Sequence, residues 1–405
     1  MLKISFFLVI FFLNQFLFAQ NRVNSNSIAV ETFGAKGDGV TDDTYAIQKA
    51  INSSYETISF SNKNYIVNGQ LNLKSNKKLI GNQTVISRNK INSNQSIIYG
   101  QGISYININN IKFKGNVSKQ SPQYVSDASV IRIDDSSNIN LSSISTSGGA
   151  SGVQVYYSDQ ITIENLISVN NILTGLSAIA NNISVSNSKF TNNGYTSNGL
   201  THDAYFINCS NVQIKDSTFG NTNDKKAFSL VVRYDLSDSK TLFDKVDNVN
   251  IFNNIFYNNG LAIGSDPGVD VKKRKPPKNV KIYNNNFNGS DLKIDDPESI
   301  ITNDNQNITN YICRVGSSYP QYNVGLISTN DHCKNLVQSS LKAIAEKSTN
   351  SIIFNNTVID NDLSNSIQNA KGFGGIMAFT LKKPKVNGLI NFSSQGENSK
   401  VKINK

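Results

Sequence analysis

A short pattern of apolar and polar positions recurs along the middle of the chain. It runs apolar–x–apolar–x–Asn, and an aromatic or apolar residue follows a few positions later. The second apolar residue of each copy can serve as an anchor: Ile108, Leu141, Ile163, Val185, Ile214, Ile251 and Ile282. The two steps between Leu141, Ile163 and Val185 are each 22 residues, the length of one coil made of three short strands and three turns. Alternation by two favours such a β-helix over leucine-rich or other solenoids.

The repeat predicts two columns of like residues, because stacked coils place equivalent positions above one another at about 4.8 Å. A polar column at the turn after the anchor strand contains Asn110, Ser143, Asn165, Asn187, Asp216, Asn253 and Asn284. Asn tolerates the left-handed backbone of a sharp turn. An aromatic column five residues past the anchor contains Phe113, Phe190, Phe219, Phe256 and Phe287. Asp216 is therefore expected to be a turn residue and not a catalytic acid.

The two ends of the repeat region differ from its middle, as the ends of solenoids do. Residues 42–51 begin with acidic and Thr residues and carry apolar residues at helical spacing, which predicts an N-capped amphipathic helix that covers the first coil. Beyond about residue 295 the repeat fades. Residues 301–405 are expected to form a C-terminal cap with irregular coils, with helical spacing from Leu336 to Ala345.

The first 20 residues have the parts of a signal peptide. Lys3 precedes apolar runs from Ile4 to Leu13 and from Phe16 to Ala19, and the polar pair Asn14-Gln15 interrupts them. The alternative, a membrane anchor, is disfavoured because the segment is short for a bilayer of about 30 Å. We therefore expect an exported protein, either secreted, periplasmic or at the cell surface, and no membrane-spanning segment elsewhere.

The composition limits the kinds of molecule that the protein is expected to bind. The chain has 405 residues, no Trp, two Met, three Cys and a formal net charge of +10, which suits many short strands and an anionic partner. Acidic polysaccharide is a more natural partner than nucleic acid, since the chain is expected to be exported and has no base-stacking motif. Cys313 and Cys333 can form a structural disulfide, whereas Cys209 is expected to be a buried strand or turn residue.

The segment Phe33 to Ile51, which includes Gly34-Ala35-Lys36-Gly37-Asp38-Gly39 and Asp42-Asp43, resembles the N-terminal part of the pectate-lyase superfamily β-helix domain, the rhamnogalacturonase and family 28 glycoside hydrolase type included. The resemblance covers roughly residues 30 to 85, and the repeats agree with it to about residue 290. It implies an all-β, right-handed parallel β-helix over residues 28–300 with an N-terminal capping helix, and activity on polysaccharide. It also implies that Asp38, Asp42 and Asp43 shape the start of the helix and take no part in catalysis.

The resemblance does not choose the reaction. Thr201-His202-Asp203 and Gly264-Ser265-Asp266 are the nearest echoes of polygalacturonase motifs, and the sequence has no Gly-His-Gly or Arg-Ile-Lys. Two His residues are too few for an alginate-epimerase type of site. Action without a cofactor is the expectation, although calcium stays open because some pectate lyases use it.

Longer steps between anchors place the candidate site around residues 200 to 275. The steps that end at Ile214, Ile251 and Ile282 are 29, 37 and 31 residues, and insertions on neighbouring coils can form a cleft. Strand alternation predicts that Tyr205, Ser229 and Arg233 face outward, and that Phe228 and Leu230 face inward. The candidate catalytic residues are Asp203, Tyr205, Arg233, Asp235 and Asp266. The candidate substrate-binding residues are Tyr234, Lys272, Lys273 and Arg274, expected in loops.

Two chemistries compete for these residues. A hydrolase needs two carboxyl groups about 5 to 9.5 Å apart, which Asp235 and Asp266 can supply. A lyase needs a cation for the uronate carboxylate and a base for the adjacent proton, which Arg233 can supply with Tyr205 or Tyr234, and with Lys225 or Lys226 for the leaving oxygen. We expect an exported polysaccharide lyase or glycoside hydrolase, a monomer or a trimer; the alternative is a non-catalytic glycan-binding or adhesin-like protein.

Overall fold

The computed structural model describes residues 26–90, 95–117, 128–194, 202–220, 228–237, 240–258, 260–265, 275, 277–295, 300–315, 324–328, 351–354, 376–378, 388–391 and 402–404. Within them, no helix is long and apolar enough to cross a bilayer. The predicted signal peptide, the helical spacing at Leu336 to Ala345 and Cys333 lie outside these residues.

The described residues form one α-helix and a long series of short strands. A 3₁₀ turn (Val30–Phe33) precedes the helix α1 (Thr44–Asn52). The strands in chain order are β1 Ser27–Ala29, β2 Asp38–Asp42, β3 Thr57–Phe60, β4 Asn64–Ile66, β5 Leu71–Asn72, β6 Lys78–Ser87, β7 Ile98–Gln101, β8 Ser104–Lys114, β9 Ile131–Asp134, β10 Ser137–Ser142, β11 Ser145–Ser147, β12 Ser151–Glu164, β13 Ile167–Val169, β14 Thr174–Ser186, β15 Lys189–Thr191, β16 His202–Ile207, β17 Ser210–Lys215, β18 Thr218–Phe219, β19 Leu230–Tyr234, β20 Asp247–Phe252, β21 Ile255–Phe256, β22 Leu261–Ser265, β23 Lys278–Tyr283, β24 Asn286–Asp295, β25 Ile300–Asn303, β26 Gln306–Val315, β27 Val324–Ser328, β28 Ser351–Phe354, β29 Ile376–Ala378, β30 Gly388–Asn391 and β31 Lys402–Asn404.

The strands stack into three parallel sheets that together make the predicted right-handed parallel β-helix. Sheet 1 runs β5-β7-β9-β12-β14-β16-β19-β22-β24-β26, sheet 2 runs β1-β3-β6-β8-β10-β12-β14-β17-β20-β23-β25, and sheet 3 runs β2-β4-β6-β8-β11-β13-β15-β18-β21-β24. Long strands such as β12 and β14 bend from one sheet into the next. After β26 the pairing changes, because β27 adds antiparallel to it.

The predicted anchors stack as expected. Leu141 pairs with Ile108 on one side and with Ile163 on the other, and Ile163 pairs with Val185. All of these anchor side chains are fully buried. The 22-residue step is therefore one coil, and the core is the continuous apolar column inside the three sheets.

Both predicted columns exist. The turn residues Asn110, Ser143, Asn165, Asn187, Asp216, Asn253 and Asn284 all have φ between 50° and 58°, so Asp216 is a left-handed turn residue. A second left-handed column, which the sequence analysis missed, lies where the strands enter sheet 2: Tyr105, Asn138, Gln160, Asn182, Asn211, Asn248 and Asn279. The aromatic stack is continuous from Phe190 to Phe287, with ring centroids 4.9 to 5.4 Å apart.

The N-terminal helix covers the first coil as predicted, with Ala46, Ile47, Ala50 and Ile51 buried. Asp43 at the N-cap position makes no capping hydrogen bond, whereas Oδ1 of Asp42 accepts one from the backbone N–H of Thr44, the first helical residue, at 3.1 Å. The Asp43 carboxylate instead accepts hydrogen bonds from the backbone N–H groups of Lys36 and Gly37, at 2.6 and 3.0 Å. Asp43 therefore fixes the glycine-rich loop against the helix, a structural role.

Cys209 is buried, as expected, at the turn between sheets 1 and 2. Its thiol contacts the backbone of the neighbouring coil at Ala178 and Ala180. Burial raises the pKa of Cys209 to about 12. The other cysteine that the structure reaches, Cys313, lies in β26 opposite Ile294.

Candidate functional site

The outer face of sheet 1 carries a column of residues, one from each coil, and all but Val231 and Ala262 are polar or aromatic. In register, it contains Tyr99, Arg132, Gln154, Ser177, Tyr205, Val231, Ala262 and Lys293. Their strand neighbours Val153, Leu176, Ala204 and Leu230 point into the core, and side chains alternate along a strand. The column therefore faces outward, where the sequence analysis placed Tyr205.

Tyr205 and Arg233 form a close pair on this face, in the region the anchor steps indicated. The guanidinium carbon of Arg233 lies 4.7 Å from the centroid of the Tyr205 ring, and its Nε donates a hydrogen bond to the Tyr205 hydroxyl. Both side chains are partly exposed. The pair combines a fixed positive charge with a phenol that it contacts directly.

His202 lies beside this pair, although the sequence analysis did not select it as a candidate. Its ring centroid is 5.2 Å from that of Tyr205. Its Nδ1 is 2.7 Å from the carbonyl oxygen of Phe228, and since a carbonyl can only accept, Nδ1 carries the proton. The ring is thus held in one orientation, with 5% of the residue exposed.

A second arginine–tyrosine pair lies on the same face, toward the N-terminal end. The guanidinium carbon of Arg132 is 5.9 Å from the centroid of the Tyr99 ring, and its Nε is 2.7 Å from Oδ2 of Asp134. The Tyr99 hydroxyl donates to Oε1 of Gln101 at 2.9 Å. These residues were missed because the longer anchor steps placed the candidate site around residues 200 to 275. The 33-residue step from Ile108 to Leu141 was the signal that could have found them.

A loop closes one side of the face. We call residues 240–246, the second part of the connection from β19 to β20, the strap. Lys240 reaches four coils back, where its Nζ is 3.1 Å from Oδ1 of Asp135 and 3.4 Å from the centroid of the Tyr157 ring. Phe243 packs on Ile179 and Ile207, two outward residues of sheet 1. The strap therefore lies along the sheet 2 side of the face.

The strap is also fixed at its C-terminal end. Asp244 accepts a hydrogen bond from the Tyr234 hydroxyl at 3.0 Å and forms an ion pair with Lys275. The hydrogen bond from Lys275 holds the pKa of Asp244 below its usual range. Leu242 lies at the tip of the strap, between the contacts of Lys240 and those of Asp244, and is 76% exposed.

The candidate carboxylates do not come together. Asp203 is fully buried, and its Oδ1 accepts from the backbone N–H and the side chain of Asn193, at 3.3 and 3.2 Å. Asp235 turns back to its own loop, where Oδ1 accepts from the backbone and hydroxyl of Ser237. Asp203 is level with Ser229, so Asp235 lies six residues further along the coil direction, about 20 Å at the usual rise.

Three expectations about orientation were wrong. Tyr234 was expected in a loop, but β19 extends through it and alternation turns its ring into the core, fully buried. Ser229 was expected to face outward, yet it is 1% exposed and its hydroxyl donates to the Tyr257 carbonyl. Phe228, expected inward, is partly exposed near Lys293. The strand begins only at Leu230, so alternation does not apply to the two residues before it.

Several candidates lie outside the described residues: Asp266, Lys272, Lys273, Arg274, Lys225 and Lys226. Among the residues that are described, no group of three or more His, Cys, Asp or Glu side chains could hold a metal ion.

Comparisons with known proteins agree with the sequence resemblance at the N-terminal end. Residues 27–104 match the family described as rhamnogalacturonase A/epimerase, pectate lyase-like. A stretch of 86 residues is 34% identical to the pre-neck appendage protein of Bacillus phage phi29, which corresponds to 20% of this chain and 10% of that protein. The pectate-lyase superfamily resemblance is thus confirmed on the residues that carried it.

Two solved structures are similar to this chain at low sequence identity. ORF18 of Geobacillus virus E2 superposes with a TM-score of 0.48 and 18% identity, over 73% of this chain and 63% of that one. The family 28 exopolygalacturonase of Yersinia enterocolitica gives a TM-score of 0.46 and 15% identity, over 72% of this chain and 68% of that one. This chain thus spans about a tenth of the length of the phage phi29 relative and under two thirds of the Geobacillus virus protein.

Proposed function

Because the N-terminal residues match a pectate lyase-like family, we propose that the chain is an exported enzyme that cleaves an acidic polysaccharide by elimination on the outer face of sheet 1. One observation carries the proposal: the Arg233 guanidinium contacts both the ring and the hydroxyl of Tyr205 on that face. Export rests on the signal-peptide pattern of residues 1–20. The positive net charge of +10 suits an anionic substrate.

Elimination on a uronate sugar needs few groups. Arg233 pairs with the substrate carboxylate, which stabilises the negative charge that develops when the proton on the adjacent carbon leaves. The Tyr205 oxygen is the proton acceptor, and the neighbouring guanidinium favours negative charge on it. The electron pair of the broken C–H bond forms the new C=C bond, and the bond to the leaving oxygen breaks. The leaving oxygen takes up the proton that Tyr205 has accepted, so Tyr205 returns to its starting state and no water is consumed.

The geometry favours elimination over hydrolysis among the described candidates. A glycoside hydrolase uses two carboxyl groups about 5 to 9.5 Å apart. Asp203 is fully buried and Asp235 is hydrogen-bonded within its own loop. The cation and the phenol are in place without a carboxylate pair.

A glycan-binding protein without activity is the second candidate. The same buried position of Asp203 supports it, since a face with arginine and tyrosine can hold a sugar chain and leave it intact. In that case the chain would act as an adhesin-like binder, and the face would be the same.

The test uses the full chain with polygalacturonate, alginate and hyaluronan, each with and without added calcium. Ultraviolet absorbance of unsaturated uronates and the number of new reducing ends are followed separately. We expect both signals to rise together, and Tyr205→Phe to lower the rate about a hundredfold. The matched control is Tyr105→Phe, because Tyr105 is 63% exposed at a turn outside this face.

Each other outcome has a defined meaning. Reducing ends without the absorbance would refute elimination and favour hydrolysis. Binding to one of the glycans with neither signal would favour the binder. Equal rates for Tyr205→Phe and Tyr105→Phe would remove Tyr205 from the site.

A further inference from the structure

The sheet 1 face carries two arginine–tyrosine pairs, and the proposed function uses only one. Tyr99 and Tyr205 belong to the same outward column and are separated by four coil steps, through Arg132, Gln154 and Ser177. At about 4.8 Å for each step, the two tyrosines are about 19 Å apart. The two pairs therefore sit at the ends of one uninterrupted strip of the sheet.

Between its ends the strip exposes almost no side-chain surface. Gln154 is 1% exposed and Ser177 is 4% exposed, and both side chains are fixed by hydrogen bonds, Gln154 to Ser129 and Ser177 to Tyr156. At the N-terminal end, by contrast, Tyr99 and Arg132 are partly exposed. A chain-like ligand that spans the strip therefore meets exposed polar groups at its two ends and almost none between them.

The N-terminal pair is built as a fixed binding group. The Arg132 side chain is 23% exposed, and the Asp134 side chain beside it is 9% exposed. The Asp134 carboxylate accepts a hydrogen bond from Nε of Arg132, and the Tyr99 ring lies against the guanidinium. An arginine held this way loses little side-chain entropy when it binds an anion.

We propose that Tyr99 and Arg132 form a second, distal subsite for a uronate sugar of the same polysaccharide chain that Arg233 binds. This inference rests on the proposed function. Arg132 contacts the sugar carboxylate or a hydroxyl next to it, and Asp134 is a positioning residue that orients the guanidinium. The subsite adds affinity only for ligands long enough to reach it, because a shorter ligand contacts Arg233 alone.

The test compares ligand lengths. Binding of a galacturonate trisaccharide and of a galacturonate octasaccharide is measured by calorimetry on the Tyr205→Phe protein, in which cleavage is slowed. The trisaccharide is too short to reach from Arg233 to Arg132, whereas the octasaccharide is long enough. We expect Arg132→Ala to weaken octasaccharide binding about tenfold and to leave trisaccharide binding unchanged.

Two controls accompany it. Lys112→Ala removes one positive charge from an exposed strand residue outside sheet 1 and is expected to change neither affinity. Arg132→Gln keeps most of the side-chain volume, and it replaces Arg132→Ala if the alanine variant unfolds by circular dichroism.

The outcomes separate the two proposals. Equal weakening of both lengths, or of neither, by Arg132→Ala or Arg132→Gln would overturn the distal subsite alone. Failure of the parent protein to bind either oligosaccharide, or any polysaccharide of the panel, would overturn the proposed function and the subsite with it. If Lys112→Ala weakens octasaccharide binding as much as Arg132→Ala does, the loss of affinity comes from the change in net charge, and the subsite is refuted.

Discussion

The internal aromatic stack predicts an energetic difference between two phenylalanines of the same column. Phe219 is fully buried between Phe190 and Phe256, with ring centroids 5.1 and 5.4 Å away and interplanar angles of 4° and 17°. Phe113 is equally buried, but its neighbours on the adjacent coils are Ile86 and Thr146. The change to test is therefore Phe→Leu at each position.

The magnitude follows from what the two positions share. Both changes remove a similar volume from a closed core, so the cost of the cavity and of lost apolar burial is common to them. Only Phe219→Leu also breaks two aromatic contacts, each worth about 0.5 to 1.5 kcal/mol beyond burial. Phe219→Leu should therefore lower the free energy of unfolding by about 1 to 3 kcal/mol more than Phe113→Leu.

The measurement is equilibrium unfolding in urea followed by far-ultraviolet circular dichroism, since the chain has no Trp for fluorescence. The comparison requires equal dependence of the free energy on denaturant in both variants. Ile255→Ala, at a residue that is 37% exposed beside the stack, should cost much less than either. If Phe113→Leu costs as much as Phe219→Leu, the stacked rings contribute no more than ordinary burial and the reasoning fails.

Three further predictions follow from single contacts. Asn285 is 1% exposed and donates to the Ile251 carbonyl and to the Asn305 side chain, so Asn285→Leu should cost about 2 to 4 kcal/mol in urea unfolding; a cost below that of Asn62→Leu, at an exposed position, would contradict this. Lys275 lowers the pKa of Asp244, so the contribution of this pair is complete above the unfolded pKa of about 3.9 and is lost as the pH falls through the lower folded value. In the parent protein, amide exchange of the strap, corrected for its intrinsic rate, should accelerate only below about pH 4. In Lys275→Met the acceleration should begin at a higher pH than in the parent. Acceleration near pH 6 in the parent would refute the linkage. Cys209 is buried with its pKa raised to about 12, so iodoacetamide should label it, by peptide mass spectrometry, only after unfolding; rapid native labelling would show that its coil opens.

The coil pattern could be predicted because it depends on local spacing. The alternation around each anchor decides which side chains face the core, and equal spacing sets the register of Leu141, Ile163 and Val185 without any long-range information. The left-handed turn residues follow from the same spacing. The orientations of Tyr205 and Arg233 were correct for this reason, since both lie inside regular strands.

The rest of the site depends on features that spacing does not contain. The burial of Tyr234 depends on how far β19 continues, and local propensity does not determine where a strand ends. The strap depends on a contact between Lys240 and Asp135, which are 105 residues apart in sequence. His202 and Arg132 lie on the face because their strands stay in register with the neighbouring coils, although the connections between the coils differ in length. That register is visible only in the structure.

The strap has a mechanical consequence for the whole solenoid. A stack of coils in which each contacts only its neighbours can fray from an end, one coil at a time. Lys240 and Phe243 instead join the coil that ends in β19 to the coils of β9, β12, β14 and β16. The β19 coil can separate only when all of these contacts break together. Unfolding that starts at the C-terminal end is therefore expected to stop at this coil. The five coils from β9 to β19, which carry Arg132 and Arg233, should then open as one cooperative unit.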